Sequence, residues 1–206
     1  MNLDSLTYKI FEFKKIPVNL NLLFLGVFIF LTPSLGISLF IAVLVHEMAH
    51  AWTAYKLNYY VDSININLLS GSAMIRGNIP PNDSIKITAA GPLSNLILAS
   101  SGLLFYIALR HFVGLELSFL SDFMLINGLL FIFNVFPISP MDGGIMLRDY
   151  LYMRTSRREA NKITNWTSLI TSIVLYSFCI ISGYLIASLF FVYFIYLSVK
   201  KLKIIK

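Results

Sequence analysis

Long apolar runs divide the sequence, separated by short polar stretches. They cover residues 16–32, 35–57, 85–109, 123–136, 163–182 and 184–199. Runs of this length with few charges predict membrane-spanning helices, the first of them near the lower length limit. Thr32-Pro33-Ser34 separates the first two so briefly that they are expected to form a tight helical hairpin. Residues 58–81 change character. Positions 62–68 alternate polar and apolar with period two, a strand signal. Ser70-Gly71-Ser72 is turn chemistry, and residues 73–77 can return as a second strand before Pro80-Pro81. An ordinary loop carrying a hairpin is the alternative. Asn82-Asp83-Ser84 offers an N-cap for the third helix, which Pro92 should kink unless it sits near the first turns. The fourth run ends in Pro137-Ile138-Ser139-Pro140-Met141-Asp142-Gly143-Gly144, which cannot continue a regular helix. Irregular backbone at membrane depth is tolerated only against protein or a wet cavity. The expected fold is all-α and polytopic, with about six transmembrane helices. A small β-hairpin or sheet lies between helices 2 and 3, and residues 1–206 form a single domain.

Composition agrees. Of the residues, 57% are hydrophobic and 13% charged, against about 25% charged in a soluble domain. Mean hydropathy is +0.77. The formal charge of +6 marks cytoplasmic flanks in a membrane chain, not a nucleic-acid partner. One cysteine, Cys179, excludes a disulfide framework or a cysteine-based metal site within the chain. No cleavable signal peptide, internal repeat or soluble appendage is expected. With six spans and a cytoplasmic N-terminus, fifteen of the sixteen Lys and Arg residues fall inside and only Arg110 outside. The reading is a multi-pass protein of the cell membrane with both termini cytoplasmic.

Within the second run lies Val45-His46-Glu47-Met48-Ala49-His50, an H-E-x-x-H. On a helix, positions i and i+4 share a face, so His46 and His50 can hold one metal ion. Glu47 then stands where it can take a proton from bound water. The chain has three histidines, and two are here. Ionisable groups inside a membrane helix are expensive and functional by default. A catalytic zinc takes three protein ligands and leaves a position for water. Among the other acids, Asp142 alone follows an apolar run, in the Pro/Gly loop. Topology puts it at the same cytoplasmic depth as the histidines. A helix N-cap for residues 143–151 is its alternative role.

These residues resemble the site-2 protease family of intramembrane zinc metalloproteases. The resemblance rests on His46-Glu47-x-x-His50, on Gly91-Pro92-x-x-Asn95, and on Asn134-x-x-Pro137-x-x-Pro140-x-Asp142-Gly143. It covers nearly the whole chain. It implies one zinc per chain on His46, His50 and Asp142, with Glu47 catalytic. It suggests that Asn95 and Asn134 position substrate or the metal loop, with interhelical hydrogen bonding as their alternative. The implied reaction is cleavage of the transmembrane segment of a membrane-anchored protein. Many members carry Gly-Gly after the zinc helix, where Ser70-Gly71 stands here. No PDZ or CBS module is expected, so regulation would come from a separate protein or be absent. Substrate is expected to add as an extended strand to an exposed edge of the 62–68 strand. The rival function is a non-proteolytic membrane protein that binds or transports metal.

Overall fold

The computed structural model describes residues 6–67, 71–113 and 118–205. Its elements are β1 (Thr7–Phe13), β2 (Ile16–Asn21), a 3-10 helix (Leu22–Gly26), α1 (Val27–Phe30), α2 (Pro33–Lys56), β3 (Tyr60–Ile66), β4 (Gly71–Arg76), α3 (Pro81–Val113), α4 (Ser118–Val135), α5 (Asp142–Tyr152), α6 (Arg157–Ile181) and α7 (Leu185–Ile205). They form two compact units. One comprises Met1–Asn78 with Ala90–Ile132, the other Ile79–Ala89 with Phe133–Lys206. Leu68 and Ser70, the end of the expected strand and the start of its turn, lie outside the described residues.

Among the described residues, four helices are long and apolar enough to cross a membrane: α2, α3 from Pro81 to Phe112, α4 and α6. Ile97, Leu104, Val174, Phe178 and Ile181 are exposed along α3 and α6. In water such a surface would aggregate; in a bilayer it faces lipid tails. α7 is a 21-residue helix whose last turns carry Lys200, Lys201 and Lys203.

In the first unit, residues 16–32 depart from the expected spanning helix. Ile16, Val18 and Leu20 alternate with Pro17, Asn19 and Asn21, and this stretch is a strand. Lys14 and Lys15, both at positive φ (52° and 66°), form the two-residue turn from β1. The expected hairpin of two spanning helices is replaced by a segment packed along α2. The Phe13 ring lies 5.8 Å from Trp52, and Phe24 lies 6.0 Å from Phe40. The Phe28 ring covers Gly36, where an added Cβ would meet it at 2.6 Å. The chain from 13 to 28 therefore runs antiparallel along α2 as strand, 3-10 turn and short helix.

The sheet order is β1-β2-β3-β4, with β2 parallel to β3 and the other pairs antiparallel. β3 is interior. Ile64, Asn65 and Ile66 pair with both Val18–Leu20 and the 71–73 backbone. The strand expected to receive substrate thus has no open edge there; among the described residues the outer strands are β1 and β4. Val18, Ile64 and Ile66 are fully buried, and β3 and β4 pack against α2.

α2 begins on a Thr32 cap, whose hydroxyl accepts from the Leu35 N–H at 3.3 Å, with Pro33 in the first turn. Its 24 residues reach about 36 Å, enough to cross a hydrocarbon core. Trp52 and Tyr55 stack near its C-terminal end, and the Lys56 ammonium sits 4.9 Å from the Trp52 ring centroid. Aromatic and lysine side chains of this kind mark a membrane interface.

In the second unit, α5 starts on the proline-rich loop. Ile138 is fully buried against Cys179, Phe191 and Phe194. The Ser139 N–H donates to Ser168 Oγ at 2.8 Å. At the other end, α6 stops at Gly183 (φ +79°), where the Tyr184 N–H reaches the Cys179 carbonyl at 2.8 Å.

Candidate metal centre

His46, Glu47 and His50 are buried in α2, at 6%, 6% and 8% exposure, about 9–15 Å short of its C-terminal end. The two imidazoles meet edge to face, with His46 Nε2 and His50 Nε2 3.0 Å apart. The first unit thus brings together the histidines that the spacing places on one face.

α3 supplies the wall opposite. Gly91 and Asn95 are four residues apart and share a face of this helix. A Cβ at Gly91 would stand 2.3 Å from His50 Nε2 and 2.6 Å from His46 Nε2. Only a residue without a side chain lets the backbone approach both nitrogens. Asn95, fully buried, touches the other side of the first ring: His46 Nδ1 lies 2.5 Å from Asn95 Oδ1.

The protonation of His46 follows from a chain of partners. The Phe123 carbonyl can only accept, so Asn127 Nδ2 donates to it at 2.9 Å. That turns Asn127 Oδ1 toward Asn95, whose Nδ2 donates to it at 2.9 Å and to the Ala42 carbonyl at 3.2 Å. Asn95 Oδ1 is left facing His46, and as an acceptor it requires a proton on Nδ1. The Nε2 lone pair then points to the Gly91 side. The hydrogen bond orders ring and tautomer together, as carbonyl and carboxylate partners do for metal-binding histidines. Sequence reasoning missed Asn127. Its one signal was an amide in the middle of a helix that is apolar from Phe123 to Phe133 apart from it and Gly128.

Asp142 is in the second unit, half-buried as the first residue of α5. It is not the helix cap. Met141 holds that position, with no side-chain cap bond. Gly143 and Gly144 press this first turn against loop backbone: a Cβ at Gly143 would meet the Val135 and Phe136 carbonyl oxygens at 2.3 Å. Asn134 is half-buried near the end of α4 in the same unit.

The model of peptidase family M50 matches residues 34–116 and 111–178. The chain belongs to peptidase family M50. A zinc metalloprotease of Methanocaldococcus jannaschii is 28% identical over 175 residues, 74% of this M50 chain and 49% of that protein. The putative zinc metalloprotease YwhC of Bacillus subtilis is 30% identical over 154 residues, 58% of this chain and 69% of its own. The chain thus spans about half the length of the first of these relatives. A solved site-2 protease from Methanocaldococcus jannaschii shares the fold, with TM-score 0.66, 24% identity and 95% of each chain covered.

The M50 relatives are zinc proteins by name, and the donors in this chain suit zinc. Two imidazole nitrogens bound to one zinc at about 2.0–2.1 Å stand about 3.3 Å apart at the tetrahedral angle. His46 and His50 present theirs at 3.0 Å, with one tautomer set and a glycine cradle beside them.

Proposed function

We propose that this chain is an intramembrane zinc metalloendopeptidase that cleaves the transmembrane segment of a membrane-anchored protein. The observation that carries the reading is the facing Nε2 pair of His46 and His50, cradled by Gly91 and oriented by Asn95, on an apolar helix that also buries Glu47. His46, His50 and Asp142 are the residues that would hold the ion. A zinc ion held there would lower the pKa of its water to about 7 and polarise the scissile carbonyl.

Glu47 accepts the proton that the attacking water releases as its oxygen bonds to the carbonyl carbon. It delivers that proton to the amide nitrogen as the C–N bond breaks. Burial of Glu47 keeps bulk water from competing for the proton. The substrate must present an extended segment, because a helix locks its carbonyls in hydrogen bonds. We place that segment on β4, an outer strand that packs on the helix bearing the histidines. Both termini are cytoplasmic in this reading, which takes the apolar run 185–199 of α7 as the return crossing after α6. At the other end β2 pairs with β3, which follows the C-terminal end of α2, so β2 and Lys56 share a side even without a first spanning helix. The partners are the substrate and the bilayer, and a separate protein is a candidate source of regulation.

The test is metal analysis beside cleavage of one model substrate. Asp142→Ala should lose zinc and activity together, and Glu47→Gln should keep zinc and lose only activity. A zinc-replete, active Asp142→Ala protein would remove Asp142 from the ligand set. Exchange of zinc across vesicles without proteolysis would favour the transporter reading.

A further inference from the structure

The second unit holds a cavity of about 240 Å³ lined by Ser139, Arg148, Asn161, Thr164, Asn165, Lys201 and Ile204. Three elements and the proline-rich loop build it. Asn161, Thr164 and Asn165 present one polar face of α6, Arg148 comes from α5, and Lys201 from the last turns of α7. A polar cavity walled by helices otherwise rich in apolar residues needs a reason.

The lining offers donors. Lys201 Nζ donates to Ser139 Oγ at 2.8 Å, which leaves the serine O–H to donate elsewhere. Asn161 Oδ1 accepts from the Tyr152 hydroxyl at 2.7 Å, so its amide N–H groups remain to donate. Thr164 is 3% exposed, and its Oγ1 has no hydrogen-bond partner among the described residues. A buried hydroxyl without a partner forfeits free energy that a ligand oxygen would restore.

The lining carries two cations and no carboxylate. Asp149, next to Arg148, offsets part of that charge. Its Oδ1 accepts from Arg148 Nε at 2.8 Å and lies 2.8 Å from the same guanidinium's Nη2, and its Oδ2 accepts from Ser84 Oγ at 2.5 Å. Lys201 forms no ion pair among the described residues, and its described acceptor is the neutral Ser139 hydroxyl. Burial first, and the Arg148 charge second, hold its ammonium below the ordinary lysine value. A half-buried cation without a counter-ion is costly, and an anion between Lys201 and Arg148 would relieve it.

We propose that this cavity is a binding site for a phosphate group, held by Lys201 and Arg148 and by the Ser139, Thr164 and Asn161 donors. Cations, hydroxyls and amides converge from three helices and a loop, which suits a tetrahedral anion with several acceptor oxygens better than a planar carboxylate. Trp166, half-exposed on α6 and adjacent in sequence to Asn165, is of the residue type enriched at the depth of lipid headgroups. The phosphate is therefore either that of an anionic lipid or a soluble one, and the chemistry is shared.

The experiment uses the full chain. In detergent, inorganic phosphate is titrated by calorimetry, with acetate as the planar control. In parallel, protein reconstituted with phosphatidic acid in phosphatidylcholine is delipidated, and retained lipid is measured by native mass spectrometry. Saturable one-to-one binding of inorganic phosphate identifies a soluble source, and selective retention of phosphatidic acid a lipid source. In either arm Lys201→Gln should weaken binding about tenfold or more, the worth of one charge-assisted hydrogen bond. Thr164→Val, which keeps shape and loses the hydroxyl, should weaken it less. Lys200→Gln, whose side chain is outside the cavity lining, should bind as the parent does. The melting temperature of each variant confirms its fold. The proposal is overturned if neither arm shows binding that depends on Lys201. It is overturned equally if acetate binds as well as phosphate, or if Lys200→Gln weakens binding as much as Lys201→Gln.

Discussion

Gly91→Ala adds one methyl group where the backbone of α3 meets both histidines. The new Cβ would lie 2.3 Å from His50 Nε2, 2.5 Å from His50 Cε1 and 2.6 Å from His46 Nε2. Ordinary contact needs about 3.5 Å, so each ring must retreat by about 1 Å. His46 has little room to yield, because Asn95 holds its Nδ1 and the Ala42 carbonyl and Asn127 hold Asn95. Metal sites tolerate ligand displacements of about 0.2 Å, so a shift of this size removes a ligand. Stability should change far less. Overpacking costs about 1–3 kcal/mol, and alanine recovers about 1 kcal/mol of helix propensity over glycine. The variant should therefore fold, melt close to the parent, and lose stoichiometric zinc and cleavage. Gly102→Ala in the same helix is the control. Its Cβ would meet the Met124 Cγ at 2.9 Å, and a flexible methionine can move aside. It should keep full zinc. Zinc analysis, a melting curve and an in-membrane cleavage assay on both variants decide the matter. A zinc-replete, active Gly91→Ala protein would refute the argument that this close approach frames the metal site.

Three further outcomes are expected. Asn95→Ala leaves the buried His46 Nδ1 without its oriented acceptor and should lower zinc affinity or activity about 10–100-fold; Asn127→Ala spares the Ala42 carbonyl contact and should cost under about tenfold, both read by zinc titration against a chelator. Proline scanned through Ala73, Met74 and Ile75 of β4 should impair cleavage at the position whose N–H faces outward, with zinc content unchanged; full activity in all three variants would place substrate elsewhere. Lys15→Gly relieves a positive φ of 66° in the β1–β2 turn and should raise stability by about 0.5–1 kcal/mol in a melting experiment, with cleavage unaltered.

The site was legible where chemistry depends on local spacing. His46 and His50 at i and i+4 need only a helix to share a face, and an apolar run of that length supplies one. Gly91 and Asn95 were paired only through the family resemblance, and their contacts with the histidines exist only in the fold. The sequence did not show where a strand sits in its sheet. Residues 62–66 alternate as a strand should, yet β2, some forty residues earlier, takes the edge that was expected to be open. That same β2 hid inside an apolar run, because hydropathy over a window ignores the alternation of Ile16, Val18 and Leu20 and the warning of Pro17. β1 mixes lysine and glutamate with aromatics, and nothing local distinguishes such an outer strand from a polar arm. Asn127 was invisible as a partner because its role exists only through Asn95, 32 residues away.

The central claim is that this chain hydrolyses a peptide bond inside the membrane with Glu47 as the base. The most direct measurement reconstitutes purified protein with one model transmembrane substrate in vesicles and follows the products by mass spectrometry. Parent protein should cut within the membrane segment, lose that activity to a zinc chelator and regain it with added zinc. Glu47→Gln at equal zinc content should leave the substrate intact. Cleavage by the Glu47→Gln protein at the parent's rate would contradict the account.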